Sequence, residues 1–181
     1  LTSKDGQVHQ FDDTGKLISL TDRNSNAITL TYTNGLPTTI TDAVGRTVTL
    51  TYDGYGAIAT LSDSTGTIAT YTHWFWGILN GVTYADGSQY NFGITFVGNN
   101  ILLANVTDAL GNVLESHTYD SQSRALTSEV AGNSTEKYTL NYVSATETDV
   151  TDALNRVTTF NYDLNENLQS VLDAENNTTT Y

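Results

Sequence analysis

Polar and apolar residues alternate along this chain in short runs with a period of two, which predicts β-strands. The alternation is strict in Thr47-Val48-Thr49-Leu50-Thr51-Tyr52. It puts Val48, Leu50 and Tyr52 on one face of a pleated strand and three threonines on the other. β-Branched and aromatic side chains suit such a half-buried surface. Ala57-Ile58-Ala59-Thr60-Leu61-Ser62 reads as the returning strand, and Asp53-Gly54-Tyr55-Gly56 as a turn with two glycines able to take positive φ. The next turn, Asp63-Ser64-Thr65-Gly66, joins an Asp that can accept from backbone N–H groups to a Gly suited to the left-handed position. Residues 26–32 form a second such strand, Thr33-Asn34-Gly35 its turn and residues 38–41 its return. Pro37, the one proline, starts that return, where a missing donor costs little. Helical spacing is not sustained anywhere, so little or no helix is expected.

The hairpins repeat. Asp22, Asp42, Asp63, Asp108, Asp152 and Asp173 each follow a short apolar strand, at intervals of 20, 21, 45, 44 and 21 residues. The two long intervals hold two repeats each. Phe11, Tyr32, Tyr52, Tyr71, Tyr90, Tyr119, Tyr142, Tyr162 and Tyr181 keep the same period, 19 to 23 residues, except for 29 between Tyr90 and Tyr119, where the array carries extra residues. Asp42-Ala43-Val44-Gly45-Arg46, leading to Tyr52-Asp53, recurs nearly position by position as Asp152-Ala153-Leu154-Asn155-Arg156, leading to Tyr162-Asp163. Asp108-Ala109-Leu110-Gly111-Asn112, leading to Tyr119-Asp120, is a third copy. The expected architecture is all-β: tandem hairpins paired edge to edge into a continuous, curved, mostly antiparallel sheet. One array of about eight units fills residues 1–181 and is truncated at both ends. The lack of any Met fits a segment of a longer polypeptide.

Tyr-Asp, a turn, a Leu and then Asp-x-x-Gly-Arg resembles the Rhs, or tyrosine-aspartate (YD), repeat. Tyr52-Asp53, Tyr119-Asp120 with Arg124 and Leu126, and Tyr162-Asp163 with Asn167 and Leu168 carry the resemblance. Phe11-Asp12 carries it with Phe for Tyr. Tyr32, Tyr52, Asp53, Tyr119, Asp120, Tyr162, Asp163, Gly45 and Gly111 are then repeat-building residues. The family includes bacterial polymorphic toxins, C components of insecticidal toxin complexes and teneurins. Its fold is a spiralling sheet that closes into a hollow shell. The resemblance implies a secreted or cell-surface structural segment that walls off or presents a toxin domain, and no enzyme activity. The aspartate- and proline-bearing core motif by which the toxins cut off their cargo is absent, so no autoproteolytic residue carries over.

Residues 72–107 depart from the pattern. His73-Trp74-Phe75-Trp76 holds both tryptophans, and residues 81–92 read as a hairpin around Asp86-Gly87. The aromatics either fill the wider part of a curled sheet or form an exposed platform for a carbohydrate or a protein. Trp74, Trp76, Tyr84 and Tyr90 are the candidate binding residues.

Charge narrows the partners. Twenty Asp and Glu against seven Lys and Arg give a net charge of −13, which repels phosphate backbones and anionic lipid heads. Nucleic-acid binding is not expected, and no apolar run is long enough to insert in a membrane. No Cys excludes disulfides and thiol chemistry. The acids recur at turn positions that the repeat dictates, so their abundance does not signal catalysis. Calcium is the one cofactor with candidate ligands, in Asp22-Arg23-Asn24-Ser25-Asn26 and Asp173-Ala174-Glu175-Asn176-Asn177, but no calcium-loop motif accompanies them. His9, His73 and His117 lack metal-ligand spacing. Arg46, Arg124 and Arg156 share one phase and are expected to pair with turn aspartates. Asn105, Asn133, Asn176 and Asn177 begin glycosylation triplets that arise by chance in so Asn- and Thr-rich a chain. Open strands at the ends predict edge-to-edge self-association.

Overall fold

Strands form where the alternation places them. The computed structural model describes residues 1–130 and 136–181. Its contacts divide the chain into two compact units, Leu1–Gln89 and Tyr90–Tyr181. The first contains β1 (Val8–Phe11), β2 (Leu17–Thr21), β3 (Ala27–Thr33), β4 (Leu36–Thr41), β5 (Thr47–Tyr52), β6 (Ile58–Asp63), β7 (Gly66–His73) and β8 (Leu79–Tyr84). Each of these strands pairs antiparallel with the next. A 3-10 turn at Phe75–Gly77 is the only helical element among the described residues.

The second unit opens on β9 (Gln89–Val97), whose first residue belongs to the first unit. It continues through β10 (Asn100–Asp108), β11 (Val113–Tyr119), β12 (Ala125–Val130), β13 (Lys137–Ser144), β14 (Glu147–Asp152), β15 (Val157–Tyr162), β16 (Leu168–Leu172) and β17 (Thr178–Thr180). These too pair antiparallel in chain order. The long interval between Tyr90 and Tyr119 is taken up by two nine-residue strands, β9 and β10, not by a loop.

Register turns the alternation into two chemically distinct faces. Leu20 lies opposite Ile28, Leu30 opposite Ile40, Ile40 opposite Val48, Leu50 opposite Leu61 and Leu61 opposite Ala69. The other face pairs hydroxyls: Ser19 with Thr29, Thr29 with Thr41, Thr39 with Thr49, Thr51 with Thr60, and Thr60 with Thr70. Thr51 and Thr60 share a 2.6 Å hydroxyl bond, and Thr118 and Thr127 in the second unit another of 2.6 Å. A one-residue slip would exchange the faces of a whole strand, so this contrast fixes the register. Leu50, Ala69 and Val82 are the buried hydrophobic residues among those described, so the core of the first unit lies across β5 to β8.

The pairing shifts register at Gln10/Phe11, Thr31/Tyr32, Thr51/Tyr52, Thr118/Tyr119 and Asn161/Tyr162. A bulge therefore re-aims the repeat aromatic as each of these strands enters its turn.

Candidate functional site: the turns and the residues they hold

A single turn design recurs at Asp12, Asp22, Asp42, Asp53, Asp108, Asp120, Asp152, Asp163 and Asp173. In the Asp42 copy the Asp42 N–H donates to Arg46 O at 2.9 Å and the Gly45 N–H to Asp42 O at 3.1 Å. Asp42 Oδ1 then accepts the N–H of Val44 at 3.0 Å and of Arg46 at 2.8 Å. The same pair of bonds to the second and fourth residues beyond the Asp forms in the other eight copies. In seven of the copies the second carboxylate oxygen takes the side chain of the fifth turn residue. Nε of Arg46, Arg124 and Arg156 donates at 2.6, 2.8 and 2.7 Å. Nδ2 of Asn26 and Asn112 donates at 2.8 and 2.7 Å. The arginines thus pair as the sequence predicts, each with the Asp of its own turn.

The fourth turn residue is left-handed throughout, from φ 60° at Asn155 to φ 86° at Gly45, and Gly111 stands there at φ 81°. Ser25, Ser123 and Glu166 also adopt it. Of the two glycines able to take positive φ in the Asp53 turn, Gly56 does and Gly54 does not. Bonding to the charged form lowers the carboxyl pKa values. Asp42 is lowered chiefly by the Arg46 side chain, Asp120 and Asp152 chiefly by backbone N–H groups of Arg124 and Arg156, and Asp163 chiefly by the Asn167 amide.

The repeat tyrosines tie one hairpin to the one before. Tyr32 Oη donates to Leu17 O at 2.8 Å, Tyr52 to Pro37 O at 2.5 Å, Tyr119 to Leu103 O at 2.7 Å and Tyr142 to Ala125 O at 2.9 Å. Tyr162 is anchored through its backbone N–H, which donates to Thr146 O at 2.8 Å. Arg124 bonds Asp120 and lies 4.1 Å over the Tyr142 ring, joining two consecutive hairpins. Burial raises the pKa of the Tyr142 phenol, and the Arg124 charge opposes the rise.

The departure at residues 72–107 begins with a modified turn. The Trp74 N–H donates to Ile78 O at 2.7 Å, the closure made by Asp in the nine turns above. Nearly buried His73 holds Asp53 Oδ2 at 3.0 Å through Nδ1. Trp76 adopts φ 65°, and its ring meets Phe75 edge-on, with centroids 4.7 Å apart and planes at 85°. A methyl on Gly77 would stand 3.5 Å from the Tyr55 Cβ, so this turn packs on the Asp53 turn. Trp74 and Trp76 are brought together as candidate binding residues. Tyr84 is not with them: it ends β8, opposite Ala69, at the far end of the strand. Tyr90 lies in the second unit, opposite Asp108. Exposed Tyr55 is the aromatic that sequence reasoning left out, and its place one repeat before Trp76 was the available signal.

Recesses follow the repeat. A notch of about 310 Å³ lies between the Asp22 and Asp42 turns, and its counterpart of about 300 Å³ between the Asp152 and Asp173 turns. A recess of about 500 Å³ is lined by Arg124, Tyr142, Thr148, Tyr162 and Glu166. Among the described residues no group of three or more His, Cys, Asp or Glu is placed to hold a metal ion. The carboxylates of the two candidate calcium turns are occupied by their own backbone and by Asn26 and Asn177. His117 stands 3.2 Å from Glu115. Of the glycosylation triplets, Asn133 lies outside the described residues. No helix among the described residues is long and apolar enough to cross a membrane.

Self-bonded turns and inter-hairpin tyrosine bonds define the class: tandem β-hairpin repeats. Residues 33–68 match the RHS Repeat family model, the repeat that this stretch resembles in its residues. Solved structures share the fold. The crystal structure of TcdB2–TccC3 without its hypervariable C-terminal region aligns over 94% of this chain at 15% identity with a TM-score of 0.69. TcdB2–TccC3–TEV aligns over 94% at 15% identity and 0.67, and the Photorhabdus luminescens Tc holotoxin pore over 94% at 14% and 0.67. The chain spans 11% of the length of each of these three. No curated protein matches it.

Proposed function

We propose that this chain is a non-catalytic wall segment of a secreted or cell-surface Rhs/YD-repeat protein, enclosing or presenting a toxin domain of the same polypeptide. The observation that carries the reading is the repeated turn. Turn aspartates and strand-end tyrosines, the residues that would otherwise supply chemistry, are committed to holding hairpins in register. Spending polar side chains this way suits a partition. The shared fold with the TcdB2–TccC3 structures supports the same reading. In the parent polypeptide, the downstream domain should resist a protease that cleaves it when expressed alone. Equal cleavage in both settings would remove the enclosing role. Strand-edge pairing between copies is a further expectation, checked by light scattering over a range of concentrations.

A further inference from the structure

We propose that the turn between β7 and β8 is a docking tip for the headgroup region of a zwitterionic lipid surface of zero net charge. Three aromatics in a row project there: Trp74 is 43% exposed, Phe75 47% and Trp76 73%. Tyr55, on the adjacent turn, is 63% exposed. Trp76 is held out at a left-handed φ of 65°, a conformation that bulky side chains rarely adopt and that points to function. The turn is braced so that it does not collapse onto the sheet. The Trp74 N–H to Ile78 O bond closes it, Gly77 packs on Tyr55 and Ala57, and the Phe75 and Trp76 rings meet at right angles.

Charge selects the surface. No Asp, Glu, Lys or Arg occurs from Ser64 to Ala85, although the chain as a whole carries −13. The tip has no cation with which to attract an anionic membrane, and the rest of the chain is repelled by one. Indole rings, apolar with one polar N–H, are placed at membrane–water interfaces by their own chemistry. Depth is limited by the Asp53 carboxylate, held to His73 directly beside Trp74, since desolvating that charge is costly. Contact is therefore shallow and reversible. A neutral saccharide stacked on Trp76 is the competing occupant. The right-angled Phe75 and Trp76 rings offer it one face instead of a coplanar platform.

The two tryptophans of the chain both lie in this turn, so intrinsic emission reports on the tip alone. With phosphatidylcholine vesicles the emission should shift to the blue and be quenched by bromine-labelled acyl chains, and phosphatidylglycerol vesicles should give a smaller response. Trp76→Gly keeps the left-handed backbone accessible and leaves Trp74 as reporter. It should weaken vesicle binding about tenfold, with an unchanged far-ultraviolet circular dichroism spectrum. An unshifted spectrum with phosphatidylcholine overturns the proposal. So does a stronger response to phosphatidylglycerol, or a shift produced by neutral oligosaccharides or by protein concentration alone.

Discussion

At the scale of single residues, the turn works because one carboxylate does what several backbone groups would otherwise leave undone. Its Oδ1 accepts two N–H donors and so fastens a turn whose fourth residue stands at φ > 0. The position then tolerates whatever can be left-handed, and its occupants range from Gly45 to Asn155 and Glu166. A Cβ at Gly45 would meet nothing within 4 Å, so substitution there tests backbone strain alone. Gly45→Asn, which copies the Asn155 turn, should leave thermal unfolding nearly unchanged. Gly45→Val should destabilise by about 1–2 kcal/mol, read from the urea midpoint. A loss of equal size in both variants would mean that side-chain contacts, not φ, govern the position. Sequence reasoning found Gly45 and Gly111 because they recur at one phase of the repeat. It could not foresee Ser25, Ser123 or Glu166, because their left-handed φ is set by the turn and not by their own preference. It named two glycines of the Asp53 turn as able to take positive φ, and the one at the fourth position, Gly56, takes it.

At the scale of the hairpin, the strand-end tyrosine joins neighbours that ladder bonds alone would leave free to shear. Tyr52 reaches Pro37 O across a bulge, and Tyr142 reaches Ala125 O while Arg124 covers its ring. Tyr52→Phe removes the donor and little else, and should cost about 1 kcal/mol. Tyr55→Phe, on an exposed turn residue, should stay within about 0.5 kcal/mol of wild type. Comparable losses at both positions would show that ring packing, not the hydroxyl, supplies the link. Arg124→Lys should also destabilise, by about 0.5–1 kcal/mol. A lysine keeps the charge but loses the flat guanidinium that covers Tyr142 while bonding Asp120. The tyrosine period was legible in the sequence because Phe11, Tyr32, Tyr52, Tyr119 and Tyr162 fill the same bulged position. The partner of each hydroxyl was not, because it lies 15 to 17 residues back and depends on the register of the preceding hairpin. The tip at Trp74 and Trp76 was half legible: the aromatics stood out, but pairing them with Tyr84 ignored that successive turns fall at opposite ends of the strands.

At the scale of the whole molecule, two electrostatic effects oppose each other as pH falls. The chain carries −13 at neutral pH, and protonating its acids relieves self-repulsion. The turn carboxylates work in the other direction. Asp42, Asp120, Asp152 and Asp163 titrate lower in the folded chain than in the unfolded one, because folding supplies donors to the ionised form. A depressed folded pKa means that the stabilisation is present above the unfolded value and is lost as pH falls through the folded one. Salt separates the two effects, since exposed long-range repulsion is screened within about 8 Å at physiological ionic strength and more strongly above it, while bonds inside a turn persist. In high salt, stability from urea unfolding should therefore be flat from neutral pH down to about pH 5, then fall steadily below about pH 4. Asp152→Asn keeps a side-chain oxygen for the backbone donors but cannot titrate. It should begin from a lower plateau, because the Arg156 ion pair is gone, and lose less on acidification. Were stability instead to rise on acidification in high salt, the nine carboxylates would be a burden that the fold tolerates and not the fastening that sets its repeat.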